Sequence, residues 1–275
     1  MKKLIVLVIT LLIVFPTVAQ EDSALPAGCN VSTLSEIFGN IGESLAEEGL
    51  TPEQSVLFIE ALDSTLHATR DACAGETAPP ENAIDYSEIP QSRAEDGGFV
   101  LGDPDAPITI VEFADFMCPH CQAYHPIVHE LIETYVVTGQ AKFEYRFFPV
   151  VDRDLSPLTA GLAECSEILK PGSFWEAHDL LFEYTSAGFN GLTPFAFAAR
   201  AGLDYDEMVT CLREEAGQVS IDVTLGQEVG VGGTPTVMVR YGDGDLEAIT
   251  DADGNEVPSS SVPMAILGSV IEAAQ

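Results

Sequence analysis

The sequence predicts an α/β domain: a strand–helix–strand unit, a long helical insertion, then a strand pair and a closing helix. Three observations predict it. The run Ile108–Asp115 is strand-like and breaks at Cys118-Pro119-His120-Cys121. After the break, Tyr124, Ile127, Val128, Leu131, Ile132, Tyr135 and Val136 recur at helical spacing. Beyond Gly139, Lys142–Val150 alternates, with Phe143, Tyr145 and Phe147 set against Glu144 and Arg146. A crossover of this kind makes the two strands parallel neighbours.

Taken in order, residues 1–19 have the pattern of a signal peptide. Lys2 and Lys3 form a basic start, Leu4–Phe15 an apolar run, and Thr17-Val18-Ala19 a small-residue cleavage site. An uncleaved anchor is the alternative, but the apolar run is short for a full span. Residues 20–75 read as a helical hairpin. Val31, Leu34, Phe38, Ile41 and Leu45 make one stripe, Gly49 ends it, and Thr51-Pro52 with Gln54 caps a second helix carrying Ile59, Leu62 and Leu66. Residues 76–97 are rich in Gly, Ala, Pro and acidic side chains without periodicity, a linker pattern. The main domain is 98–275.

Within that domain the helical insertion covers about 153–226 and holds Cys165, Phe174, Trp175, Leu181, Phe182, Phe195, Phe197, Met208 and Cys211. Its aromatics are expected in the core. Thr236–Tyr241 is a strand, Gly242-Asp243-Gly244 a turn, Leu246–Thr250 the return strand and Val262–Ala274 the last helix.

Cys118 falls where a strand ends and a helix begins. Unpaired backbone N–H groups and the positive helix end stabilise a thiolate there, so Cys118 is the expected reactive sulfur. Cys121, one turn in, is the expected resolving sulfur. Glu112 shares a strand face with Ala114 and Phe116 and would lie beneath the cysteines; a surface carboxylate is the alternative. Pro126 removes a donor from the helix interior, where a kink is expected.

Val111–Cys121 and Gly232-Gly233-Thr234-Pro235-Thr236 together resemble the active-site segment and cis-proline loop of the exported DsbA-like thiol:disulfide oxidoreductases, which have a thioredoxin-like fold. Phe174-Trp175 to Leu181-Phe182 resembles a motif of that family's helical insertion. The resemblance spans residues 99–275 and leaves out the first hairpin. It implies a redox-active Cys118–Cys121 disulfide with no other cofactor, and exchange through a mixed disulfide. Pro119 and His120 would set the redox balance, His120 by supporting the Cys118 sulfur. Glu112 would be the buried acid that takes the Cys121 proton. A cis Pro235 would bring Thr234 beside Cys118, where its backbone could pair with an extended substrate.

Six cysteines in an exported chain point to further disulfides. Proximity in sequence favours Cys29–Cys73 and Cys165–Cys211, with buried free thiols as the alternative. Cys118, Cys121, His125 and His129 mimic a zinc spacing, but all four lie along one helix over about 16 Å and cannot enclose one ion. Asp251-Ala252-Asp253-Gly254-Asn255 has its Gly fourth and no Glu at the twelfth place, so a polar turn is expected there rather than a calcium loop. No metal is expected.

The formal charge of −33, deepened by two when Lys2 and Lys3 leave with the leader, argues against nucleic acid and anionic membranes as partners. The expected activity is introduction of disulfides into secreted proteins in the periplasm, cell envelope or extracellular space. The expected partners are unfolded or partly folded clients and a membrane or soluble protein that re-oxidises Cys118. A disulfide isomerase or reductase, oligomeric through the first hairpin, is the alternative within the same chemistry. A non-catalytic binder of extended peptides is the alternative outside it.

Overall fold

The computed structural model describes residues 84–187 and 194–275. The chain divides into two units, 1–83 and 84–275. The expected leader, the hairpin and the Cys29–Cys73 pair fall in the first unit, outside the described residues, as does the side chain of Phe195 in the second.

The centre of the second unit is strand β3, Ile108–Ala114, buried at every position. It pairs in parallel with β4, Lys142–Phe147, and antiparallel with β5, Thr236–Tyr241. Strands β1, Gln91–Arg93, and β2, Phe99–Leu101, extend the β4 side, and β6, Glu247–Ala248, extends the β5 side. Among the described residues the sheet order is β1-β2-β4-β3-β5-β6. Alternation along β3 separates two cores. Ile108, Ile110 and Ala114 enter the larger one, whereas Val111 and Phe113 join Phe148, Val231 and Met238 on the other face.

Helix α1, Pro119–Leu131, runs from the end of β3 and passes into a π-helical turn, Ile132–Val136. Cys121, Tyr124, Val128 and Leu131 form its buried stripe, and Pro126 stands inside it. Gly139, at φ +73°, takes the left-handed conformation that lets the chain turn back into β4. The insertion then follows as α2 (Leu155–Leu169), α3 (Phe174–Ser186), α4 (Pro194–Ala201), α5 (Tyr205–Glu214) and α6 (Gln218–Glu228). Cys165 of α2 and Cys211 of α5 are joined by a disulfide, and Phe174, Trp175, Leu181, Phe182, Phe197 and Met208 are buried. Helix α6 returns to the smaller core, where Gly226 lies so close to Phe148 that a Cβ would fall 2.6 Å from that ring. Helix α7, Met264–Ala273, closes the unit.

Two expectations need correction, and one strand has a face that alternation alone does not describe. The expected linker ends before its last residues: Tyr86–Glu88 is a 3-10 turn and Gln91–Arg93 an edge strand. Burial of Tyr86 and Ile89 in the larger core anchors this stretch, which is too short to show periodicity. The polar half of the β4 alternation is buried as deeply as the apolar half. Glu144 and Arg146 are both 1% exposed and pair with each other, with Asp222 of α6 and with Arg240 of β5. The return strand is only Glu247–Ala248, because Thr250 and Glu256 already pair across the turn between them.

Candidate active site

The loop between β3 and α1 is built on Asp115. Its Oδ1 accepts from the Met117 N–H at 2.9 Å, and its Oδ2 accepts from the Val150 and Val151 N–H groups at 2.8 and 2.9 Å. Its carbonyl accepts from the Cys118 N–H at 2.9 Å. One buried carboxylate thereby fastens the cysteine loop to the segment leaving β4. The sequence reading missed Asp115; an Asp two residues before Met117 is the signal of an Asx turn.

Cys118 is the N-cap of α1, with extended backbone (φ −78°, ψ 118°), and its carbonyl accepts the first helical bond from Gln122 at 3.0 Å. Pro119 follows at the first helical position, where no N–H is needed. Cys118 and Cys121 are free thiols, 4% and 0% exposed. The Cys118 thiol donates to the Thr234 carbonyl at 3.2 Å. The Thr234–Pro235 bond is cis, and Thr236 Oγ1 donates to the Gly233 carbonyl at 2.8 Å, bracing this loop.

Glu112 is buried on the face of β3 that carries Ile110 and Ala114. Burial, with no counter-charge to offset it, pushes its carboxyl up to about 8. Burial also raises the Cys121 thiol, and the charge of Glu112 raises it further. The phenols of Tyr124 and Tyr145 are raised by the same two causes. Glu112 thus lies within electrostatic reach of the resolving thiol in a medium that disfavours charge on either. Such a pair can pass a single proton between them.

The remaining candidates are less tightly grouped. Pro119 and His120 are exposed, and the His120 side chain makes no hydrogen bond among the described residues. His125 and His129 turn away from the cysteines, each placing Nε2 3.1 Å from Asp179 Oδ1 of α3. The 251–255 segment is a self-satisfied turn, with Asp251 Oδ1 accepting from the Asp253 and Asn255 N–H groups at 2.9 Å. No helix among the described residues is long and apolar enough to cross a membrane.

Comparison with known proteins bears on this arrangement. The family model described as thioredoxin matches residues 94–245. The chain is 32% identical over 151 residues to Disulfide bond formation protein D of Bacillus subtilis, covering 51% of this chain and 67% of that protein. It is 34% identical over 167 residues to the Na(+)/H(+) antiporter NhaA 3 of Salinispora tropica, covering 57% of this chain but 24% of the antiporter. The chain therefore spans about a quarter of that relative's length. Among solved structures, oxidised BdbD from Bacillus subtilis aligns with a TM-score of 0.52 at 26% identity, over 64% of this chain and 91% of that one. Wolbachia pipientis α-DsbA1 aligns with a TM-score of 0.50 at 21% identity, over 64% and 90%, a likeness of fold.

Proposed function

The chain belongs to the DsbA-like group of the thioredoxin superfamily, and from that premise we propose that it is an exported protein-thiol oxidase acting through Cys118 and Cys121. The observation that carries the proposal is the position of Cys118. It caps a helix N-terminus, beside a backbone carbonyl of the 232–236 loop, with a buried second thiol one turn away. A helix N-terminus stabilises negative charge on sulfur.

In the oxidising direction a client thiolate attacks Cys118 of the Cys118–Cys121 disulfide. A sulfur–sulfur bond forms to the client, the Cys118–Cys121 bond breaks, and the electron pair leaves on Cys121. A thiolate at Cys121 is disfavoured by burial and by Glu112, so it takes the proton from the Glu112 carboxyl. A second client thiolate then attacks the client sulfur, and Cys118 leaves as thiolate. The client loses two electrons and the enzyme ends as the dithiol. An extended client segment can pair with the Thr234 backbone as an added strand. Re-oxidation requires a further membrane or soluble redox partner that takes up the two electrons.

Export is supported by the leader pattern of residues 1–19 and by the Cys165–Cys211 disulfide, a bond that persists in oxidising compartments. No transport activity follows from the antiporter match, which spans about a quarter of that protein.

The test is transfer of a disulfide from the oxidised protein to a reduced, unfolded client, with iodoacetamide labelling of the reduced protein alongside it. Cys118→Ala should abolish transfer, and reduced Cys121→Ser, mixed with a disulfide-bearing client, should hold that client as a mixed disulfide through Cys118. Labelling of Cys118 near neutral pH no faster than an ordinary thiol, or transfer unchanged in Cys118→Ala, would falsify the proposal. Incubation in glutathione buffers fixes the direction. An oxidase is the stronger oxidant and is reduced readily, so a Cys118–Cys121 disulfide that resists reduction favours the reductase alternative.

A further inference from the structure

Away from the cysteines, three imidazoles converge on one carboxylate oxygen. His125 and His129 stand one turn apart on α1; His178 and Asp179 are neighbours on α3. His125 Nε2 and His129 Nε2 each lie 3.1 Å from Asp179 Oδ1, and His178 Nδ1 lies 3.0 Å from it. Tyr86 Oη donates to the other oxygen, Oδ2, at 2.7 Å.

Hydrogen bonding accounts poorly for this convergence. Asp179 Oδ1 offers two lone pairs, and His125 and His178 take both, so none is left for His129. His129 Nε2 is itself buried and, despite its distance, lies outside hydrogen-bonding geometry. His178 is fully buried, its Nε2 has no hydrogen-bond partner, and rings of Phe116, Tyr145, Trp175 and Phe182 hold it in place. Its Nδ1 faces the cluster and nothing else.

These distances suit a metal better. The ligand atoms of His125, His178 and Asp179 all lie within 4.8 Å of one another. Ligands at roughly 2.0–2.1 Å from a tetrahedral ion are about 3.4 Å apart. The separations from Asp179 Oδ1 are therefore a few tenths of an ångström short of a tetrahedral edge. Tyr86 stands where a hydrogen bond from a second layer would orient the ligating carboxylate. His129 and Asp179 are partly exposed, so an ion has a path in. A set of three imidazoles and one carboxylate selects borderline ions and disfavours calcium and magnesium.

We propose that His125, His178 and Asp179 form a binding site for a zinc-type divalent transition-metal ion, clasping the active-site helix α1 to helix α3 of the insertion, with His129, its Nε2 3.1 Å from Asp179 Oδ1, moving in as the fourth ligand. One helix could not enclose such an ion; the topology overcomes this by presenting two ligands from a second helix. The site needs neither cysteine and is independent of the proposed oxidase activity.

The test uses the full exported chain, untagged, with Cys118–Cys121 oxidised so that no thiol competes. Titration with cobalt(II) should give visible absorption bands of tetrahedral strength, saturating at one equivalent and displaced by zinc(II). His125→Gln and Asp179→Asn should lose the bands and weaken zinc binding by at least about tenfold. If Asp179→Asn fails to fold by circular dichroism, His129→Gln, on the exposed side of the cluster, takes its place. Absence of saturable bands in the parent protein overturns the proposal. So does undiminished binding in the folded variants, which would assign the metal to surface carboxylates.

Discussion

The Cys118 thiol donates to the Thr234 carbonyl across 3.2 Å, joining the start of α1 to the loop before β5. The contact gives the half-buried carbonyl a donor in the dithiol protein and is the point at which an entering client would replace thiol with backbone. Cys118→Ser retains a donor, whereas Cys118→Ala leaves the carbonyl without it. Both should abolish exchange, but under reducing conditions the Ala variant should be about 1 kcal/mol less stable than the Ser variant. Urea unfolding of the two variants reads the difference; equal midpoints would show that the contact contributes nothing to stability.

Arg146 is 1% exposed and holds three carboxylates, Glu144, Asp222 and Asp96, at 2.6–2.9 Å. Replacing it with Met leaves Asp222, itself wholly buried, without its cation. The expected loss is about 3–5 kcal/mol, from an uncompensated buried charge. Arg146→Lys should recover less than half, because an ammonium cannot fork to partners on three sides. Adding Asp222→Leu to Arg146→Met should restore part of the loss. Urea melts of the four proteins measure each step.

This network also marks where the sequence stopped being informative. The strand, turn and helix around Cys118 were legible because local periodicity changes at the cysteines themselves. Glu112 could be placed by counting along one strand. Glu144 and Arg146 obey the same alternation, yet their face is covered by α6, more than seventy residues later, and no local pattern announces that cover. Asp115 was passed over because its partners, Val150 and Val151, lie beyond the next strand. His178 and Asp179 lie more than forty residues beyond His125 and His129, and only the fold sets the four together.

The Cys165–Cys211 bridge closes a separation of 46 residues between α2 and α5. In the chain-entropy account, a loop of that size stabilises by about 4 kcal/mol. Both cysteines are buried, so Ala at each position removes the crosslink without exposing polar atoms. The double Ala variant should unfold at lower temperature in calorimetry. Its loss should be undiminished when Cys118 and Cys121 are already reduced, which separates the structural bridge from the exchanging pair.

Glu112 should give the protein a stability slope opposite to that of its salt-bridged carboxylates. Its group has an ordinary value of 4.5, and burial raises it to about 8 in the folded chain. The folded state therefore keeps a proton that the unfolded state releases between those values. Stability from this group is greatest below about pH 4.5, falls as pH rises, and levels off above about pH 8. The full drop is roughly 4–5 kcal/mol. Cys121 and Tyr124 of α1 and Tyr145 of β4 face Glu112, and all three stay protonated through this window because burial and Glu112 raise them. Glu112→Gln removes the titration and leaves the packing. The stability difference between Glu112→Gln and the parent, from urea unfolding of the reduced proteins, should therefore move in favour of the variant from pH 4 to pH 9. A difference that stays flat across that range would mean that Glu112 is not held protonated, and the proton for Cys121 would have to come from elsewhere.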